Sequence, residues 1–202
     1  MSRYNMLKRG FLGIMVLILL TGCGKQATST VSATAGETKK TGKVLIAYYS
    51  YSKDHNTKAV AEQIKGFTSG DIVEITPKTP YSTDYDKTVE QGHKEVQEGF
   101  QPEITTKVAN WDQYDTIIIG SPIWWYHVAP PVSTFMHKNN FQGKNVAVFV
   151  THGGYGGGES AKDLEQGCKG AKILGAYAAP GASVQKDKLQ VEEWLKKIGV
   201  SK

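Results

Sequence analysis

VLIAYYSYSKDHNTKAVAEQIKGF, residues 44–67, decides the architecture. Val44 to Tyr49 is an unbroken apolar run rich in strand formers, the pattern of a strand buried on both faces. A polar stretch, residues 50–56, ends it. From Thr57 the period changes, and Val60, Ile64 and Phe67 recur at helical spacing. A buried strand, a polar loop and an amphipathic helix form the opening unit of a parallel α/β sheet.

Outward from this unit the alternation repeats. Residues 71–76 (DIVEIT) read as a second strand, and residues 84–100 as a helix with Tyr85, Val89, Val96 and Phe100 on its apolar face. Residues 115–120 (DTIIIG) form a third strand. Pro130-Pro131 opens a helix carrying Val132, Phe135 and Met136, with proline where its missing N–H is harmless. Residues 145–150 (NVAVFV) are a fourth strand, followed by a glycine-rich loop and a helix at 160–167. Residues 172–177 are a fifth, and Asp187 caps a last helix with Val191, Trp194, Leu195 and Ile198 inward. The expected fold is α/β: a doubly wound, five-stranded parallel sheet in three layers with right-handed crossovers. Ligands bind such sheets at the carboxyl ends of the strands, near the switch point.

The first 22 residues carry Arg3, Lys8 and Arg9, then a ten-residue apolar run, residues 11–20, then Leu20-Thr21-Gly22-Cys23. This is the layout of an export signal. The run falls short of the roughly 20 residues that span a bilayer. Small residues followed at once by cysteine resemble the bacterial lipobox, whose cysteine is acylated after cleavage. The expectation is a signal peptide at 1–22, lipidation of Cys23 and a domain held at the extracytoplasmic face of a bacterial membrane. An uncleaved membrane anchor is the other reading of the same residues. Residues 24–42, with Val31 their only bulky apolar side chain, read as a flexible tether within a 23–42 linker. The domain itself is expected at 43–202. Removing Arg3, Lys8 and Arg9 from 24 basic residues leaves 21 against 19 acidic, a net +2 that argues against nucleic acid as partner. Cys168 is the one other cysteine, so the lipidated chain has no intramolecular disulfide, and no Cys/His group has zinc spacing.

Three loops follow strands one, three and four. The first, Ser50-Tyr51-Ser52-Lys53-Asp54-His55-Asn56-Thr57, offers hydroxyls, an amide and a helix N-terminus, a combination that suits phosphate. An ordinary polar helix cap fits the same residues. The second, Gly120-Ser121-Pro122-Ile123-Trp124-Trp125-Tyr126-His127, puts three consecutive aromatics where loops meet solvent. Flat side chains beside a phosphate site suit a flat ligand held by stacking, although either tryptophan alone also fits as a plug for the sheet edge. The third, Thr151-His152-Gly153-Gly154-Tyr155-Gly156-Gly157-Gly158, lets backbone approach a ligand closely and adds another ring.

These motifs carry a family resemblance. YYSYSKDHNTKAVAEQI resembles the flavodoxin phosphate loop, roughly Ser/Thr-x-Ser/Thr-Gly-Asn-Thr. YDTIIIGSPIWWYHVAPPVSTF and GKNVAVFVTHGGYGGG resemble the flavin-ring loops of short flavodoxin-like proteins, and PYSTDYDKTVE followed by QPEI resembles the segment between their second and third strands. The resemblance covers residues 43 to about 199 and implies strand order 2-1-3-4-5 and FMN as cofactor. By position, Ser50, Ser52, Asn56 and Thr57 would bind the phosphate. Pro122, Ile123, Trp124, Trp125 and Tyr126 would border the isoalloxazine, and Thr151, His152, Gly153, Gly154 and Tyr155 would close its other side. The chain departs from the family in one place: Lys53-Asp54-His55 replaces a single glycine, making the loop two residues longer. The insertion either adds charge beside the phosphate or makes the loop bulge.

The function this implies is electron transfer by a lipid-anchored flavodoxin-like protein, with a redox protein or a quinone-level acceptor as partner and no protein acid, base or nucleophile. The alternatives are an NAD(P)H-dependent reductase of quinones or small molecules, and a flavin-free surface lipoprotein that keeps the fold. His127 and His152 lie in the two ring loops of a slightly basic chain, so the flavin is expected to be less reducing than in acidic flavodoxins. His93 is expected on an exposed helix face and His137 near a helix end. Cys168 reads as a small buried hydrophobe.

Overall fold

The structure, a computed structural model, describes residues 42–201. The expected signal peptide at 1–22, Cys23 and all of the expected tether except Gly42 lie outside the described residues. Six strands and five α-helices alternate: β1 (Lys43–Tyr48), α1 (Asn56–Thr68), β2 (Asp71–Glu74), α2 (Tyr85–Glu98), β3 (Tyr114–Trp124), β4 (His127–Val128), α3 (Pro130–Lys138), β5 (Asn145–His152), α4 (Ser160–Gly167), β6 (Lys172–Pro180) and α5 (Lys188–Lys197). The sheet runs β2-β1-β3-β5-β6, every neighbouring pair parallel. This is the expected order once the two-residue β4, antiparallel to the end of β3, is set aside.

Strand periodicity divides the interior between the two faces of the sheet. Leu45, Ala47 and Tyr49 point to one face with Ile117, Ile119, Val146, Val148 and Val150, where they meet Val132, Phe135 and Met136 of α3 and Leu164 of α4. Val44, Ile46 and Tyr48 point to the other with Ile118, Ala147 and Phe149, where α1 and α5 supply Val60, Ala61, Ile64, Val191, Trp194 and Leu195. At the sheet centre Gly120 is obligatory, because a Cβ there would sit 2.2 Å from the Phe149 ring. Cys168 is buried at the end of α4, and burial pushes its thiol up to about 12.

Two expectations need correction. The apolar face expected of α2 is not the one that packs. Thr88, Gly92 and Glu95 are buried, whereas Tyr85 and Phe100 are 74% and 50% exposed. Glu95 goes inside because Tyr81 Oη–H and the Gln91 side-chain amide both donate to its carboxylate. Gly92 goes inside because Trp124 covers it: a Cβ at position 92 would lie 3.0 Å from the indole. Second, β3 does not stop at Gly120. It continues four residues to Trp124 and turns back through β4, so most of the expected loop is strand and hairpin.

Candidate functional site

Three segments converge at the carboxyl ends of β1, β3 and β5. The first starts where β1 ends. Ser50 Oγ is buried and, among the described residues, has no hydrogen-bond partner. An orphaned hydroxyl inside a protein costs free energy unless something not of the chain satisfies it. Ser52 Oγ accepts the Asn56 N–H at 3.0 Å, and the Ser52 carbonyl accepts the His55 N–H at 2.9 Å. Lys53, Asp54 and His55 form an exposed turn. His55 takes the left-handed conformation (φ 49°, ψ 40°) directly before the helix, where the flavodoxin pattern has glycine. The longer loop therefore still delivers the chain into α1, with the strain carried by His55. Thr57 is buried, its hydroxyl 2.8 Å from that of Thr151, which ties the start of α1 to the end of β5. Asn56 lies against Gly181, where a Cβ would come within 2.7 Å of the Asn56 amide nitrogen.

The second segment is the β3–β4 hairpin. Ile123 pairs with Val128 and Trp124 with His127, which leaves Trp125 and Tyr126 as a two-residue turn. Both have positive φ, 49° and 70°, in a turn that usually takes Asn-Gly. Left-handed aromatics of this kind cost on the order of 1–3 kcal/mol each and need support. Trp125 stacks on His93 of α2, centroids 4.0 Å apart, and its Nε1–H donates to the Val89 carbonyl at 3.1 Å. The Tyr126 carbonyl accepts the Glu159 N–H. Trp124 turns inward and meets Tyr49, Tyr51 and Tyr81 edge-on at 6.0, 5.4 and 4.9 Å. Its ring is therefore partly buried against the core, while Trp125 and Tyr126 remain 43% and 56% exposed. Pro122 and Ile123 are half-buried between the two environments.

The third segment follows β5. The His152 ring accepts the N–H groups of Gly154 and Gly156 through Nδ1, at 3.1 and 3.2 Å, and its carbonyl accepts the Gly181 N–H. Gly153 and Gly154 are exposed, and Tyr155 reaches across to Tyr126 with ring centroids 6.1 Å apart. His127 of β4 and Asp163 of α4 close the junction. Asp163 takes the His127 Nδ1 at 2.9 Å and the Val128 N–H at 2.9 Å. His127 thus has a carboxylate partner, and the His152 Nδ1 is occupied as an acceptor.

All three expected site segments come together, with Trp124 as the side chain that faces inward. Sequence reasoning missed four supports. His93 had only its place on α2 to recommend it. Asp163 and Glu159 sit at the start of α4, and Gly181 lies in the turn after β6. A glycine within an α2 pattern was the one available hint that a bulky ring lay against that helix. Burial holds the Tyr49 hydroxyl well above its usual range; burial and the Glu95 carboxylate do the same for Tyr81. An open groove between α1 and the chain before α5, lined by Ala59, Gln63, Phe67 and Lys188, shares no residue with the three loops.

The profile of the family described as Flavodoxin matches residues 43–198, and the chain belongs to that family. Two solved structures named as flavoproteins, from Bacteroides eggerthii and Bacteroides uniformis, are each 28% identical. They cover 79% and 78% of this chain and 99% of their own, with TM-scores of 0.68 and 0.66. A flavoprotein of Lactobacillus acidophilus in complex with FMN is 27% identical over 72% of this chain and 97% of its own, with a TM-score of 0.57. No curated protein matches.

Proposed function

We propose that this flavodoxin binds FMN non-covalently and passes electrons between a donor and a quinone-level or protein acceptor outside the cytoplasm, tethered by lipid on Cys23. The observation that carries the cofactor reading is Ser50, whose buried hydroxyl has no hydrogen-bond partner among the described residues, in the loop that leads from β1 to α1. A phosphate there would satisfy it, alongside Ser52, Asn56 and Thr57 and the helix N–H groups. The FMN-bound relative from Lactobacillus acidophilus supports the same choice.

When bound, FMN supplies the redox chemistry; the chain supplies shape, polarity and access. Trp125 and Tyr126 would border the ring from the hairpin, next to Pro122 and Ile123. Thr151, Gly153, Gly154 and Tyr155 would border it from the β5 loop, with His152 behind them. Trp124 would act from inside, holding the hairpin against Gly92 and the tyrosine cluster. The carboxylate of Asp163 offsets any charge on His127, so the basic tuning expected of that residue is weakened. No side chain of the site needs to act as acid, base or nucleophile.

The test compares FMN with riboflavin, which lacks the phosphate. Ser50→Ala removes one hydroxyl donor to a charged group, and FMN affinity should fall roughly tenfold. Riboflavin affinity should stay unchanged. Equal losses for the two ligands would move the phosphate away from Ser50.

A further inference from the structure

Residues 153–157 read Gly-Gly-Tyr-Gly-Gly, a run that loses more backbone entropy on ordering than almost any other. Yet it takes one defined path, with Gly154 at φ 137° and Gly156 at φ 71°. Within residues 153–156 the described hydrogen bonds number two, and both end on the same atom: the N–H groups of Gly154 and Gly156 donate to His152 Nδ1. No carboxylate or cation bonds the ring among the described residues.

An imidazole nitrogen that accepts two N–H groups holds no proton. That places the ring's hydrogen on Nε2. A protonated ring would put a hydrogen on Nδ1 facing two more hydrogens. We propose that His152 is the positioning residue of this loop: neutral, it folds the glycine run over the β5 side of the ring site, and protonated, it releases that run and weakens flavin binding. The flavin part rests on the FMN reading above; the loop part does not.

The charged and titratable groups brought to this end of the sheet are Lys53, Asp54 and His55 at the start of α1, His127 with Asp163, Tyr126 and Tyr155, Glu159 before α4, and Lys186 and Asp187 before α5. All of them remain in a His152 variant, which makes substitution at 152 the discriminating step. Asparagine places a carbonyl oxygen where Nδ1 stands and cannot be protonated in this range. Glutamine puts its amide one bond further out, and leucine offers no acceptor.

The experiment uses the full chain in three forms besides the parent: His152→Asn, His152→Gln and His152→Leu. The first readout is hydrogen–deuterium exchange of the 153–159 segment without flavin, at pH 8 and pH 5. The second is FMN affinity at the same two pH values. Relative to the parent, the Gln and Leu forms should exchange faster at pH 8 but no faster at pH 5, where the parent is open too, and should bind FMN roughly tenfold more weakly at pH 8. His152→Asn should recover most of both losses. The parent should open at pH 5 and the Asn form should not. Should the Asn form behave as the Gln form does, or should acid open parent and Asn form alike, His152 is not the organiser. If the exchange pattern holds while no form binds FMN, the cofactor reading fails and the role of His152 in the loop stands.

Discussion

Thr57 and Thr151 meet hydroxyl to hydroxyl, 2.8 Å apart and buried, joining the start of α1 to the end of β5 beneath the site. One bond thus couples the segment that would hold phosphate to the segment that would border the ring. Thr57→Val leaves the Thr151 hydroxyl buried without that partner, and Thr151→Val does the same to the Thr57 hydroxyl. Each should cost about 1–3 kcal/mol. The double valine variant should cost less than the sum of the singles, because it leaves no orphan. Urea unfolding of the four proteins measures this, and strict additivity would mean the two hydroxyls do not support each other.

His93 and Trp125 form the outer brace of the strained hairpin, with Trp125 also bonded to the Val89 carbonyl. A double-mutant cycle with His93→Ala and Trp125→Ala should give a coupling of about 0.5–1.5 kcal/mol, the range of paired rings. A coupling near zero would leave the hairpin to the backbone bond from Glu159 and the inward Trp124.

Much of this was legible in the chain because of period. The β1 run alternates between the two cores as its all-apolar composition requires, and Val60 and Ile64 of α1 sit where helical spacing puts them. Period failed on α2, where apolar residues mark the wrong face. Polar Thr88 and Glu95 are inside because hydrogen bonds satisfy them, and hydropathy does not encode a partner such as Tyr81. The hairpin is hidden in the sequence for a related reason. Two-residue turns announce themselves by Asn-Gly or Gly, whereas here two aromatics take the left-handed positions. Trp124, Trp125 and Tyr126 therefore read as one exposed cluster, although strand alternation sends Trp124 inward and leaves the other two at the tip.

Cys168 sets an alkaline limit. Burial pushes its thiol up to about 12 in the folded chain, against about 8.5 for an unfolded cysteine. A raised folded value means the stabilisation is whole below the unfolded pKa and is lost as pH rises toward the folded one. Between pH 8.5 and 10, before tyrosines titrate in the unfolded chain, stability should fall by up to about 1.4 kcal/mol per pH unit more in the parent than in Cys168→Ala. Chemical denaturation across that window gives the two slopes, and parallel slopes would contradict the burial argument. The native thiol should also resist disulfide reagents until the protein unfolds.

The proposed lipid anchor is tested at Cys23. Cys23→Ala should leave the precursor uncut or release the protein from the membrane fraction. A variant that is cut and retained as the parent is would remove the lipid from the account. Cys168 gives no alternative attachment point, since it is 2% exposed.

A visible absorption titration of the full purified chain decides whether the three loops hold FMN. Saturation should come at one FMN per chain, with the flavin spectrum perturbed on binding and with riboflavin bound more weakly by at least tenfold for want of the phosphate contacts. A chain that stays colourless in excess FMN, or one that binds riboflavin as tightly as FMN, would contradict the FMN reading.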